Sequence, residues 1–246
     1  MPKACRIETN EKDIPASAPS SNAPLNLQFK DAQRVQSSLL APIERICLRW
    51  FAFHMPNWIK PDHLTALGFM AMFLAGAFYA LARAWPPALL VVNFWLAINW
   101  FGDSLDGTLA RARNKQRPRY GFYVDHIVDA FGALFMISGL ALSGYMSVVV
   151  ALLLVIAYFL LSINVYLATY TIGTFKLSFY KFSPTELRIL IAIGNIVAFA
   201  HPTTRAFGAQ FLFFDVSAVV AMILMMAVII VSVARNTAIL YRAERV

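Results

Sequence analysis

Residues 103–129 read DSLDGTLARARNKQRPRYGFYVDHIVD, between two apolar runs, LLVVNFWLAINWFG at 89–102 and AFGALFMISGLAL at 130–142. This stretch holds four of the 13 acidic residues: Asp103, Asp106, Asp125 and Asp129. A carboxylate at the centre of a bilayer costs about 2.5–3.5 kcal/mol on insertion scales, and less near the interface. Four together still need a counter-charge. No lysine or arginine on the 125–129 side supplies one. A divalent cation, or a pair of them, is the economical partner.

The spacing supports one shared site. With 89–112 helical, Asp103 and Asp106 are i,i+3 neighbours. Gly107, Ala110 and Arg111 fall on the same side, within an arc of roughly 140° at about 100° per residue. With a second helix beginning near Gly121, Asp125 and Asp129 are i,i+4 neighbours and Gly121 lies one turn back on their face. A short polar loop joins the two helices, which predicts antiparallel packing and two carboxylate pairs near one membrane surface. Hard carboxylate oxygens suit Mg²⁺ or Mn²⁺ better than zinc, and no Cys/His cluster competes.

The segment resembles the signature of the CDP-alcohol phosphotransferase (CDP-alcohol phosphatidyltransferase) family, D-x-x-D-G-x-x-A-R-(x8)-G-x-x-x-D-x-x-x-D. Asp103, Asp106, Gly107, Ala110, Arg111, Gly121, Asp125 and Asp129 all match. One departure is visible: residues 112–120 put nine positions between Arg111 and Gly121 where eight is usual. The extra residue falls in the polar loop, which can absorb it. The resemblance implies transfer of a substituted phosphoryl group from a CDP-linked donor to an alcohol, with release of CMP. It implies metal ligands at Asp103, Asp106, Asp125 and Asp129, with one or two ions binding the diphosphate. Gly107 and Ala110 would let the nucleotide approach the helix, Arg111 would pair with a phosphate, and Gly121 would border the substrate. Asp129, the last acid of the motif and the deepest along its helix, is the choice for general base on the acceptor hydroxyl. No Ser, Cys or His sits where a covalent intermediate would form, so direct in-line transfer is expected. In KPDHLTALG, 60–68, Pro61, Asp62, Thr65 and Gly68 match a further family pattern, which implies that Asp62 and Thr65 shape the cytidine pocket. Read from the residues alone, the same stretch is a helix entry, with Asp62 a cap or first-turn acid and Gly68 there for close packing.

Composition sets the class. Of 246 residues 59% are hydrophobic and only 14% charged, which indicates one all-α polytopic membrane domain. The net charge of +8 reads as the positive-inside bias and contact with anionic lipid head groups, not as a nucleic-acid surface. The expected order is a disordered cytoplasmic tail at 1–26, without the apolar core of a secretory signal, then an amphipathic interfacial helix at 32–55, then a catalytic domain at 56–246. In the interfacial helix Val35, Leu39, Leu40, Ile43, Ile46, Cys47, Trp50 and Phe51 form the apolar side. Arg34, Glu44, Arg45 and Arg49 take the other, and Pro42 starts or bends the helix. Six spans follow at about 62–83, 89–112, 121–143, 146–173, 184–201 and 211–236.

Of the 21 lysines and arginines, all but Arg83, Arg205 and Arg188 lie on the side of the tail, the loop at 112–120 and the C-terminus, which makes that side cytoplasmic. The site then faces the cytoplasm, and Cys5 and Cys47 are expected to be free thiols. In SPTELRIL, 183–190, Ser183, Pro184 and Glu186 form a capping box. Arg188, a turn inside the membrane, either binds a phosphate or pairs with Glu186. His126 points about 100° away from Asp125 and reads as a packing residue. Asn99, Asn164 and Asn195 are expected to bond neighbouring helices. Gly132, Gly139 and the small residues at 75–81 could serve a dimer face, and the family resemblance implies a homodimer.

Substrate identity stays open between two branches. In one, CDP-diacylglycerol meets a water-soluble alcohol; in the other, CDP-choline or CDP-ethanolamine meets a lipid alcohol. The pair Asp125–His126 and the segment SPTE resemble the second branch. The compact length resembles the first, in its bacterial inner-membrane form, and the balance tips there. The rival class is a divalent-cation carrier; a third reading is a lipid-binding scaffold without chemistry.

Overall fold

The computed structural model describes residues 41–172, 184–206 and 208–244. The expected tail at 1–26, residues 32–40 of the interfacial helix, the loop at 174–182 and Ser183 of the capping box lie outside the described residues. Seven helices and one hairpin make up the rest: α1 Ala41–His54, α2 Pro61–Leu81, α3 Ala88–Ala112, α4 Pro118–Leu142, α5 Val148–Ile172, α6 Pro184–Ala200, β1 Thr203–Ala206, β2 Ala209–Leu212 and α7 Phe213–Ala243. The chain is an all-α polytopic membrane protein with a small β-hairpin added.

Length and hydropathy qualify α2, α3, α4, α5 and α7 to cross a membrane. The expected fifth span is α6, which stops at 17 residues. At about 1.5 Å per residue that is roughly 25 Å, short of a ~30 Å hydrocarbon core. Pro202 follows its end, and the chain turns into the β1–β2 hairpin, pairing Thr203 with Leu212 and Ala206 with Ala209. By contrast α7 runs to 31 residues, well past the expected end at 236. The α3–α4 connection is tight. Asn114 takes a left-handed backbone with φ 52°, which an asparagine tolerates, and Lys115 N–H returns to the Ala110 carbonyl at 2.9 Å. Helix α4 then opens with Pro118 in its first turn, three residues before the expected start at Gly121.

The expectation that α3 and α4 pack directly on one another needs correction. Each packs extensively on α2 and little on the other. Glycines make this possible. A side chain at Gly102 would run into the backbone of Leu64 and Gly68 on α2. A side chain at Gly76 would meet the Phe135 carbonyl of α4, and one at Gly139 would meet the Gly76 carbonyl. Gly132 sits against Met72. Gly76, Gly132 and Gly139 are therefore spent inside the subunit, where backbones cross closely. Ala75, Tyr79, Leu89, Val92 and Leu140 fill the core around that crossing.

Polar residues within the bundle bond neighbouring helices, as expected. Asn99 Nδ2 donates to the Gly68 carbonyl at 3.0 Å and Asn164 Nδ2 to Ser232 Oγ at 2.9 Å. Tyr79 Oη donates to Asn195 Oδ1, and Asn195 Nδ2 to Asn93 Oδ1, both at 2.7 Å. Asp215, isolated in sequence, accepts from the Ser147 backbone N–H at 2.8 Å, just ahead of α5.

Helix α1 buries Leu48 and Ala52 in a second cluster with Leu64, Leu105 and Leu109, while Ile46, Trp50 and Phe53 stay exposed in an apolar stripe. That stripe fits a helix lying in an interface. Cys47 is a free, exposed thiol. Glu44 departs from the expected polar side: it turns inward, and its Oε1 accepts from Trp100 Nε1 at 2.9 Å. Arg113 fastens the α1–α2 link by donating to the carbonyls of Met55, Pro56 and Ile59.

The α2–α4 crossing gives a direct test. Gly76→Ala should lower the thermal unfolding midpoint of the detergent-solubilised protein, since overpacking costs about 1–3 kcal/mol. Gly121→Ala, where a Cβ meets nothing within 4 Å, should not lower it, and the better helix propensity of alanine should raise it slightly.

Candidate active site

Helix α3 carries Asn99, Asp103, Asp106, Gly107, Ala110 and Arg111 down one side, and α4 carries Gly121, Asp125 and Asp129. Both helices rest on α2, so the two rows face each other across a gap instead of interlocking. Asp103, Asp125 and Asp129 each bring a carboxylate oxygen within 4.8 Å of the others. Asp103 and Asp125 are half-buried, and Asp129 is exposed.

The fourth acid is bonded from α2. Asp106 Oδ2 accepts from Thr65 Oγ1 at 2.6 Å, and its Oδ1 faces the Gly107 backbone N–H. One acid of the expected four, Asp106, is thus engaged by the first turns of α2. Thr65 reaches the site through Asp106. Asp62, also at the start of α2, instead pairs with Arg117 in the α3–α4 connection, and the Arg117 guanidinium lies 4.1 Å from the centre of the Tyr120 ring.

The glycines behave differently from one another. The guanidinium of Arg111 lies where a Gly107 side chain would be in contact with it, 3.5 Å from an added Cβ, and donates to Thr108 Oγ1 at 3.2 Å. A methyl group at 107 would rest in ordinary contact with the arginine head. Ala110, half-buried, keeps the wall low one turn further on. Gly121 faces open space.

The counter-charge missing from the 125–129 side comes from α6. Arg188 NH2 donates to Asp103 Oδ2 at 2.6 Å, and Arg188 Nε donates to Asn99 Oδ1 at 2.8 Å. Both groups are mostly shielded from solvent, with side-chain exposures of 16% for Arg188 and 27% for Asp103. The sequence reading left Arg188 between a phosphate and Glu186; the observed partner is Asp103. Asn99 was read as a helix-bonding residue, and it is also the hinge of this pair. The available signal was its i,i+4 spacing to Asp103, which puts both on one stripe of α3. His126 is a packing residue here: its Nδ1 lies 2.6 Å from the Phe122 carbonyl and its ring stands edge-on to Tyr166.

Three hard oxygens suit a divalent cation. Opposed ligands around Mg²⁺ at about 2.1 Å would stand about 4.2 Å apart. Closure from a spread of at most 4.8 Å requires only a fraction of an ångström. An all-α membrane protein with an oxygen-only acidic site at one end of its bundle is thereby defined. The chain belongs to the CDP-alcohol phosphatidyltransferase family, whose family model matches residues 58–234, from just before α2 into α7. Among curated proteins it is similar to an archaetidylinositol phosphate synthase of Pyrococcus horikoshii, 31% identical over 104 residues, which are 42% of this chain and 52% of that protein. The chain thus matches about half the length of that curated relative.

Like charges this close should destabilise the ion-free protein. Asp129→Asn removes one of the three, so in excess EDTA its thermal midpoint should rise by about 2–4 °C, as expected for roughly 1 kcal/mol of relieved repulsion. Added Mn²⁺ should then stabilise the variant less than the wild type.

Proposed function

We propose that this chain is a phospholipid-biosynthetic transferase that moves a substituted phosphoryl group from a CDP-linked donor to an alcohol, releasing CMP. The observation carrying this reading is the facing of Asp103 on α3 by Asp125 and Asp129 on α4, within a family-matched segment. CDP-diacylglycerol is the favoured donor. The relative's name points to a product that contains inositol phosphate, which fits a lipid-bearing donor and a water-soluble acceptor. The alternative within the class is a CDP-choline or CDP-ethanolamine phosphotransferase acting on a lipid alcohol.

Asp103, Asp125 and Asp129 would hold Mg²⁺ or Mn²⁺, with Asp106 as the fourth acid one turn along α3. When bound, the metal supplies charge neutralisation for the donor diphosphate and the departing CMP. The chain does the rest. Gly107 and Ala110 leave the α3 surface low where the nucleotide lies, and Gly121 leaves space opposite. Thr65 orients Asp106, and Asp62 and Arg117 border the cytidine end. Arg111 and Arg188 offer guanidinium forks to phosphate oxygens. The acceptor oxygen attacks the phosphorus in line, a new P–O bond forms, and the P–O bond to CMP breaks. Asp129, the most exposed of the three acids, takes the hydroxyl proton. In the cell the site faces the cytoplasm, in a bacterial inner membrane, with membrane lipids around it and a second copy as the expected partner.

The test is turnover. Purified protein with Mn²⁺ should release CMP from CDP-diacylglycerol, or from CDP-choline, against one member of a panel of alcohols. Asp129→Asn should cut the rate by at least about 100-fold while the protein stays folded. A protein that moves Mn²⁺ into sealed vesicles with no CDP compound present would be a carrier instead.

A further inference from the structure

Glu44, the one acid of α1, has no part in the chemistry above, yet its carboxylate is heavily bonded. Its Oε1 accepts three hydrogen bonds: from Trp100 Nε1 at 2.9 Å, Ser104 Oγ at 3.1 Å and Thr185 Oγ1 at 3.1 Å. Trp100 and Ser104 are i,i+4 on α3; Thr185 is in the first turn of α6. The surface helix therefore bridges the cytoplasmic ends of two helices.

The stripe beside it holds the site. Asn99 and Asp103 are the residues immediately before Trp100 and Ser104, and they receive Arg188. Arg188 is i,i+3 from Thr185, on the same side of α6. Two parallel fastenings thus join α3 to α6, one through Glu44 and one through Arg188. The second places a cation on a carboxylate that the cation site also uses.

We propose that Glu44 is a positioning residue for the site: by fastening the first turn of α6 to α3, it sets how firmly Arg188 holds Asp103. The proposal rests on reading the acids as a cation site. Arg188 and a divalent ion then compete for Asp103. Loss of Glu44 loosens Arg188 and favours the ion, although Glu44 touches neither.

A double-mutant cycle with Mn²⁺ alone decides this, using the full chain in detergent micelles and the EPR signal of free Mn²⁺. Arg188→Gln should tighten Mn²⁺ binding by roughly tenfold, and Glu44→Ala by roughly threefold, within the range seen for coupled residues. In the Arg188→Gln background Glu44→Ala should change nothing. Glu44→Gln keeps an accepting oxygen and should behave as wild type. Thr185→Val removes only the α6 donor and should reproduce Glu44→Ala, which covers the case where the alanine variant fails to fold. Equal tightening by Glu44→Ala with and without Arg188, or no effect in either background, overturns the proposal and leaves the cation site standing. Absence of Mn²⁺ binding by the wild type removes the cation reading and this proposal with it.

Discussion

Three carboxylates held within 4.8 Å of one another at the edge of an apolar bundle set the terms for everything around them. Two unit charges at that separation repel by on the order of 1 kcal/mol in water and about 3.5 kcal/mol at an effective dielectric of 20. Helices free to slide would part. Here α2 acts as a strut. It meets α3 where Gly102 lies against Leu64 and Gly68, and meets α4 where Gly76 and Gly139 let the backbones touch. Because α3 and α4 are braced by a third helix and not by each other, the space between their acidic faces stays open. Direct packing would fill it with side chains.

The positive charges are distributed by the same geometry. Arg188 rides on the first turns of α6 and reaches Asp103 from there. Below that level α6 is tied to α2 through Tyr79 and Asn195, and to α3 through Asn195 and Asn93. These bonds fix the height of α6, and Asn99 fixes the direction of the guanidinium. At the rim, Arg117 and Arg113 hold the loops that flank the start of α2. Each arginine is tied to the acid or carbonyl that limits its reach, so the site carries positive charge in defined places.

Much of this was legible before any coordinates. Long apolar runs gave the spanning helices to within a few residues, as with 62–83 against Pro61–Leu81 and 146–173 against Val148–Ile172. Helical periodicity put Asp125 and Asp129 on one face, and they do converge with Asp103. What failed has a common cause. In a bilayer both the lipid side and the core side of a helix are apolar, so hydropathy cannot tell which face is inside. Gly132 and Gly139 therefore read equally well as a dimer face or an internal crossing. The direct α3–α4 packing was inferred from loop length, which does not reveal a helix wedged alongside both. Arg188 lies 85 residues from Asp103 and Glu44 lies 141 from Thr185, and no local pattern reports such pairs. The Thr65–Asp106 bond depends on the same long-range packing. The hairpin at 203–212 is too short and too exposed to show an alternation.

The form of the bundle bears on the choice between a transferase and a carrier. A carrier needs polar stations that continue toward the far surface. Past Asp129 and Arg188, the polar groups meeting near the end of α2, the start of α3 and within α6 are Tyr79, Asn93 and Asn195, and their hydrogen bonds are made to each other and to the Ala192 carbonyl. Tyr79 and Asn195 are fully buried, packed with Leu89, Val92 and Ala198. Asp215, in the first turn of α7, sits at the opposite end and accepts from the Ser147 backbone. A cation at the carboxylates would have to cross a satisfied, close-packed layer to leave by the other side, and stripping its water there would cost many kcal/mol. A site open at one end and floored by such a layer suits a reaction in which charged groups enter and leave by the same mouth, while the lipid part stays in the bilayer.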